Sequence, residues 1–311
     1  MRVLITDPID SEGIKLLKSK GLEVDEKYDA SHEELRSIIT DYDAIIVRSR
    51  TKITREIIDA AKLLKVIGRA GVGLDNIDVS YAISKGIKIV STPEATSTSV
   101  AELVFAYILC HYRNLIKADF SMKNRKWLKH EIIGNELREK VLGIIGLGRI
   151  GMEVAKRARA FEMKLLVYDV RDVKKECDEI NALQVPLKTL LEESDIITIH
   201  VPLTKETYHM ISEKELSVMK HTAIIINTSR GEVIDGKALL KALNEGWIAG
   251  AGLDVFKHEP PIEEWEIELI SHPNVIATPH IGASTKEAQR RAGYLVANAI
   301  LNELIKSKQK P

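Results

Sequence analysis

The sequence predicts an α/β protein made of two doubly wound parallel-sheet domains, and three observations carry that prediction. Short apolar, β-branched runs alternate with amphipathic helical stretches, the alternation restarts after one long helical region, and 311 residues suit two cores better than one. The first set of runs includes "VLIT" (3–6), "AIIVRS" (44–49), "KVIGRA" (65–70) and "KIVST" (88–92). Runs that are apolar throughout, rather than at alternate positions, belong to a sheet covered on both faces. Between them, Ser31 and Glu34 have capping-box spacing, and Gly21 and Gly86 sit where helix C-caps belong. Residues 97–126 read as helical for longer than any other stretch, as a helix that bridges domains or lies at a subunit contact does. The second set is "KVLGIIG" (140–146), "KLLVYD" (164–169), "DIITIHV" (195–201), "AIIINTS" (223–229), "AGAGLDVF" (249–256) and "NVIATPH" (274–280), enough for a complete sheet. A final helix opens at Ser284, with Glu287 at capping-box spacing, and "KSKQKP" reads as its solvated end.

Lys+Arg and Asp+Glu both total 45, so no global field draws nucleic acid or an anionic membrane. Cys110 and Cys177 lack CxxC spacing and read as plain thiols. The apolar stretch "LVFAYILC" (103–110) is far short of the roughly 20 residues that cross a bilayer. "MRVLITDPID" reads as a strand rather than a signal peptide, so a cytoplasmic location is expected. No HExxH or comparable ligand spacing occurs, and no metal is expected.

A glycine-rich turn supplies the first chemistry. Gly146, Gly148 and Gly151 in "LGIIGLGRIG" follow a strand pattern and open a helical one. In that context the first glycine makes the turn, the second lets backbone approach a pyrophosphate, and the third packs helix against strand. The helix N-terminus adds N–H groups and partial positive charge. Asp169 ends the next strand 18 residues after Gly151, where a carboxylate accepts ribose hydroxyls and repels a 2′-phosphate. Together these predict a Rossmann domain with NAD as cofactor, NADP being left open by Arg171. A second loop, "IGRAGVGLDNID" (67–78), has Asn76 where a third glycine belongs. It reads instead as an anion platform, the N–H groups of Gly71, Val72 and Gly73 with Arg69 beside them.

Hydride transfer with a nicotinamide also needs a group to exchange the hydroxyl proton and a cation for a carboxylate, placed at carboxyl ends of strands. Three residues qualify: His280 closing "NVIATPH", Glu259 in "KHEPP" and Arg230 in "NTSRG". A carboxylate beside an imidazole stabilises the protonated ring, and a guanidinium grips a carboxylate through two parallel bonds. His258 adjoins Glu259 in a loop and cannot easily pair with it, while His200 ends a strand and reads as packing near the adenine. His32, His111, His130, His209, His221 and His272 read as structural or surface groups.

"LGIIGLGRIG", "NTSRGEVID", "AGLDVFKHEPP" and "TPHIGASTKEA" resemble the successive motifs of the D-isomer-specific 2-hydroxyacid dehydrogenases, over essentially residues 1–300. The resemblance implies that His280 is the acid/base, Glu259 its partner and Arg230 the carboxylate anchor. It also assigns Arg149, Ile150, Asp169, Val201, Pro202, Thr228, Ser229, Asp254 and Gly282 to the cofactor site, Asp254 near the nicotinamide amide. It implies a discontinuous flavodoxin-like substrate domain (1–95 plus 283–311), an NAD-binding Rossmann domain (96–282) and an active site in the cleft between them. A homodimer through residues 97–135 is implied too, with Trp127 either a subunit contact or an ordinary packing residue. Many relatives carry asparagine near Thr96, which leaves a polar contact there open.

"VIGRAGVGLDNID" and "PHIGASTKEAQ" are most similar to members that oxidise 3-phospho-D-glycerate to 3-phosphohydroxypyruvate, the first step of serine biosynthesis. Arg48 in "VRSRTKIT" matches a substrate-binding arginine of the family, and with Arg69 it makes a local basic patch suited to the phosphate, Arg50 and Lys52 being lesser candidates. Members that reduce glyoxylate or hydroxypyruvate, which usually lack an arginine at the Arg69 position, are the alternative. The family's NAD-regulated co-repressors are a remote one. Longer members append serine-binding domains that do not fit within 311 residues, so no feedback inhibition by serine is expected.

Overall fold

The apolar runs form strands in both halves of the chain, and neighbouring strands all pair in parallel. The computed structural model describes residues 1–308, so the last three residues of "KSKQKP" lie outside the described residues. Two units emerge, Met1–Ser97 with the segment from Ala283 onward, and Thr98–Gly282.

The first unit contains β1 (Arg2–Ile5), α1 (Ser11–Ser19), β2 (Glu23–Glu26), α2 (His32–Ile38), β3 (Ala44–Val47), α3 (Arg55–Ala60), β4 (Val66–Arg69), α4 (Val79–Ser84) and β5 (Lys88–Ser91). Its sheet runs β2-β1-β3-β4-β5. Alternate residues point to opposite faces, and both faces are covered. Val3, Ile5, Ala44 and Ile46 pack with Val296, Ala297 and Ile300 of the last helix, while Leu4, Ile45, Val47 and Ile67 pack with Leu35, Ile39 and Ile57. Each such aliphatic side chain, fully buried, contributes about 1.5–3 kcal/mol of transfer free energy, which explains the uninterrupted apolar runs.

The second unit opens with α5 (Ser97–Tyr112), whose Ala101, Val104 and Ile108 pack in its core with Leu142 and Ile144. It contains α6 (Leu115–Lys123), β6 (Val141–Ile145), α7 (Arg149–Ala160), β7 (Lys164–Tyr168), α8 (Lys174–Glu179), β8 (Ala182–Gln184), α9 (Leu187–Glu193) and β9 (Ile196–Ile199). It continues with α10 (Glu213–Ser217), β10 (Ile224–Asn227), α11 (Gly236–Asn244), β11 (Gly250–Leu253), α12 (Glu264–Ser271) and β12 (Val275–Ala277). The sheet runs β12-β11-β10-β9-β6-β7-β8. Strand order reverses between β6 and β9, so this sheet has the switch point at which open α/β sheets receive ligands.

Two local expectations are corrected, and two edge strands are added. The long helical region breaks at Asn114, whose backbone is left-handed (φ 50°) and whose side-chain amide donates to the Ile133 carbonyl (3.1 Å). Asparagine tolerates that conformation, and the amide offsets the interrupted helix. The final helix, α13 (Lys286–Lys308), starts two residues later than expected, with the Thr285 hydroxyl accepting the Ala288 N–H (3.1 Å). Strands β2, "EVDE", and β8, "ALQ", lie at sheet edges, where water covers one side and no long apolar run is required. Of the Ser31–Glu34 capping box the first half forms, Ser31 accepting the Glu34 N–H (3.2 Å), and Gly21 and Gly86 both have φ of 77°, as helix C-caps require. Among the described residues, no helix is long and apolar enough to cross a membrane.

Candidate active site

Because all strands of the second sheet are parallel, their carboxyl ends deliver Arg230, Glu259 and His280 to one side. Strand β12 stops at Ala277, so His280 does not close the strand but stands three residues beyond it, in left-handed backbone with φ of 52°. Holding a non-glycine residue there costs on the order of 1 kcal/mol. The buried Asp254, just past β11, holds the segment. Its carbonyl accepts the His280 N–H (2.9 Å), and its carboxylate accepts the N–H groups of Ile281 (2.8 Å) and Gly282 (2.7 Å) and the Thr278 hydroxyl. The family resemblance implies a cofactor role for Asp254. The structure shows that both of its oxygens also serve this loop.

Glu259 Oε2 meets His280 Nδ1 at 2.7 Å, and Oε1 accepts the Phe256 N–H (3.3 Å). Nδ1 is thereby taken, which leaves Nε2 to exchange a proton. The Glu259 carboxylate raises the His280 pKa against the opposing effect of burial, with Asp254 assisting and the Arg230 charge subtracting. Burial in turn pushes Glu259 upward, but the His280 hydrogen bond, the Phe256 N–H and Arg230 outweigh it and hold the carboxyl below its usual range. Arg230 rests on a turn built by Asn227, whose side-chain amide donates to the Arg230 carbonyl (2.8 Å) and whose oxygen accepts from Ser229 N (3.0 Å) and Oγ (2.7 Å).

The competing histidines have other partners. His200 bonds Thr198 (2.9 Å) and desolvation pulls its pKa down to about 3, so the ring stays neutral. His111 contacts the Ala251 carbonyl (3.1 Å) and is likewise lowered by burial. His258 pairs with Glu266, not with Glu259. Ligand atoms of His258, Glu263 and Glu266 lie within 4.8 Å of one another, one such cluster among the described residues. Its carboxylates are already engaged, Glu263 by Lys257 Nζ and Trp265 Nε1, both at 2.6 Å. A cation there would have to displace an ammonium.

The glycine turn fits a dinucleotide on independent grounds. Gly146 has φ of 92°, and a Cβ on it would lie 2.7 Å from the His200 carbonyl oxygen and 2.9 Å from Val201 Cγ1. A Cβ on Gly151 would collide with the Gly146 carbonyl, whereas one on Gly148 would meet nothing within 4 Å, leaving room for a phosphate. No side chain caps the N-terminus of α7, where Arg149 and Ile150 begin the helix. Among the described residues the Thr228 hydroxyl is buried with no hydrogen-bond partner, next to Ser229 in the set expected at the cofactor. Pro202 follows β9 and its carbonyl accepts from Thr207 (2.6 Å). Asp169 accepts the Leu147 N–H (3.0 Å) and ion-pairs with Arg171 (3.0 Å), so Arg171 occupies the carboxylate expected to hold ribose hydroxyls.

In the first unit, Arg48 and Arg69 leave adjacent parallel strands, Val47 being the register partner of Arg69. Two clamps that sequence reading missed hold the loop after β3. Buried Asp7 accepts from Arg48 N (2.5 Å), Thr51 N (3.2 Å), Thr51 Oγ1 (3.0 Å) and Arg50 Nε (3.2 Å). Asn76 donates to the carbonyls of Arg48 (2.8 Å) and Thr51 (2.6 Å), so the residue that spoils the glycine motif has its own structural use. A correction falls on Gly71: its N–H donates to the Arg69 carbonyl (2.9 Å), which reduces the anion platform to Val72 and Gly73. The Arg69 guanidinium folds over Gly71 and donates to the Ala70 carbonyl (3.1 Å). The signal for Asp7 was present, an acid directly after an apolar strand, but such residues are common at strand ends.

Comparison with known proteins supplies the family. Residues 105–282 match the model of the NAD-binding domain of D-isomer specific 2-hydroxyacid dehydrogenases. The chain belongs to that family. It is 49% identical to a hydroxypyruvate reductase of Thermotoga maritima over 97% of this chain and 98% of the relative. It is 45% identical to a D-3-phosphoglycerate dehydrogenase of Archaeoglobus fulgidus, over 97% of this chain but only 57% of that longer protein. The structure of an Aquifex aeolicus D-lactate dehydrogenase complexed with NAD and lactic acid superposes with a TM-score of 0.84 at 33% identity, covering 99% of this chain and 96% of the other. The cofactor is therefore NAD, and the fold is that of the family's two parallel-sheet α/β domains.

Proposed function

We propose that the chain oxidises 3-phospho-D-glycerate to 3-phosphohydroxypyruvate, the first step of serine biosynthesis. Bound NAD supplies the hydride acceptor. His280 takes the C2 hydroxyl proton at Nε2, and Glu259 stabilises the imidazolium that results. In reduction the same imidazolium returns the proton. Arg230 holds the substrate carboxylate and polarises the adjacent carbon, assisted by the N–H groups of Val72 and Gly73. Arg48 and Arg69 take the phosphate, and their origin on adjacent strand ends is the observation that carries this substrate choice.

A second reading, reduction of hydroxypyruvate, is favoured by the near full-length match to the Thermotoga maritima relative. NADH formation from 3-phosphoglycerate, D-glycerate and D-lactate separates the two, repeated with Arg48→Ala and Arg69→Ala. The phosphorylated substrate is expected to win by at least tenfold in kcat/KM, with that preference lost in both variants. A preference for D-glycerate, or one that survives both substitutions, overturns the phosphate assignment.

We also propose a homodimer through residues 97–135. Phe120, Trp127 (74% exposed) and Ile133 present apolar side chains together with Leu115, Ile116 and Met122 in this segment. Sedimentation of Trp127→Glu tests it: a wild type already monomeric at micromolar concentration excludes the dimer.

A further inference from the structure

Glu266 lies in the first turn of α12, is 1% exposed, and belongs to none of the groups expected to touch substrate or cofactor. Its Oε1 accepts the His258 N–H (3.0 Å), and its Oε2 accepts His258 Nδ1 (2.9 Å) and the N–H groups of Ile262 (3.2 Å) and Glu263 (3.1 Å). These donors flank Glu259 on both sides in sequence. Capping α12 alone would require only the bond from Glu263, yet the carboxylate reaches back to the residue that immediately precedes Glu259. Charge-assisted bonds to backbone N–H groups are about twice as strong as neutral ones, so the loop is held at both ends by one buried acid. Burial pushes the Glu266 pKa up, but the N–H groups of Glu263, His258 and Ile262 and the His258 ring outweigh it and hold it at about 2. The carboxylate is therefore charged throughout the working range of an enzyme that uses histidine.

We propose that Glu266, with His258, is a positioning residue that fixes the 258–263 loop so that the Glu259 carboxylate meets His280 Nδ1. The proposal rests on the reading of His280 and Glu259 as the acid/base pair. It also gives His258, the rival that sequence could not place, a definite role. Slackening the loop weakens the 2.7 Å contact, and the His280 pKa then falls toward its ordinary value. The charged groups that act on His280 are Glu259, Asp254 and Arg230, and the groups around Glu266 are the His258 ring and the charged Glu263 and Lys257.

The test follows the His280 ring by NMR titration of 13C-labelled histidine, alongside the pH profile of kcat/KM for reduction. Wild type, Glu259→Gln, Glu266→Gln and His258→Ala are compared, with the Kd for NADH measured by fluorescence. Glu259→Gln is expected to lower the His280 pKa. Glu266→Gln should lower it part of the way, move the alkaline limb of the reductive profile to lower pH and reduce kcat about tenfold, with the NADH Kd unchanged. His258→Ala should give a smaller shift of the same sign, and its half-exposed side chain makes it the deciding variant if Glu266→Gln does not fold. If Glu259→Gln lowers the pKa while the other two leave pKa and limb in place, whatever happens to the melting temperature, Glu266 is a structural cap and the proposal is overturned. An unmoved pKa in Glu259→Gln itself overturns the acid/base pairing and the proposal with it.

Discussion

At the carboxyl end of the first sheet, buried Asp7 accepts the backbone N–H groups of Arg48 and Thr51, and at the carboxyl end of the second, buried Asp254 and Glu266 do the same for Ile281, Gly282 and His258. The device is shared, an acid removed from water whose lone pairs are filled by loop N–H groups. The side chains it leaves differ. In the second unit, Glu259 and His280 are already paired with each other. In the first, the cations are bonded to their own chain: Arg50 to Asp7 and the Thr6 carbonyl, Arg48 to the Pro8 carbonyl (3.4 Å), Arg69 to the Ala70 carbonyl. A ligand anion entering the first region exchanges internal hydrogen bonds for new ones, whereas a proton arriving at the second finds its acceptor assembled. With Arg230 proposed to hold the substrate carboxylate in the second region, the contrast leads us to propose that the first region acts on substrate affinity alone while turnover depends on the second.

The largest expected effect breaks the second region outright. His280→Ala is expected to lower kcat by about a thousandfold, within the range for loss of a general acid/base, while NADH binding by fluorescence titration is unchanged. A loss below tenfold would move the proton transfer to another group.

Glu259→Gln sharpens the same side of the comparison. Reduction needs the imidazolium, and Glu259 raises the His280 pKa, so wild-type reduction persists above the ordinary histidine value and declines as pH rises through the raised one. Without the carboxylate that decline moves to lower pH, with kcat at neutral pH down about tenfold to a hundredfold. A stationary limb contradicts the sign argument.

The smallest effect tests the first region. Asp7→Asn leaves buried N–H groups poorly matched and frees the loop that carries Arg48. Steady-state kinetics should show KM for the hydroxyacid raised about tenfold with kcat within twofold. A fall in kcat at constant KM would mean that the two regions do not divide affinity from turnover.

Much of the second unit was legible because its candidate residues sit in short contiguous motifs. The glycine turn, Asp169, Arg230, Glu259 and His280 each follow an apolar strand, and parallel strands bring their carboxyl ends to one side whatever the loop details. Edge strands β2 and β8 were not legible, because an exposed edge imposes no apolar pattern. The helix break at Asn114 was hidden in the same way, since Asn tolerates both helical and left-handed backbone and the deciding partner, Ile133, is 19 residues away.

By itself, then, the sequence determined the two parallel-sheet units, the glycine turn between β6 and α7 and the order in which the candidate residues follow the apolar strands, because periodicity, glycine spacing and strand polarity are local properties. Only the tertiary structure decided which acids hold the loops, that Gly71 bonds back to Arg69, and that His258 belongs to Glu266. Asp7 reaches Arg48 across 41 positions and Asp254 reaches Gly282 across 28. A carboxylate is chosen as a partner by which N–H groups burial leaves unsatisfied, and that is known only once the chain has folded.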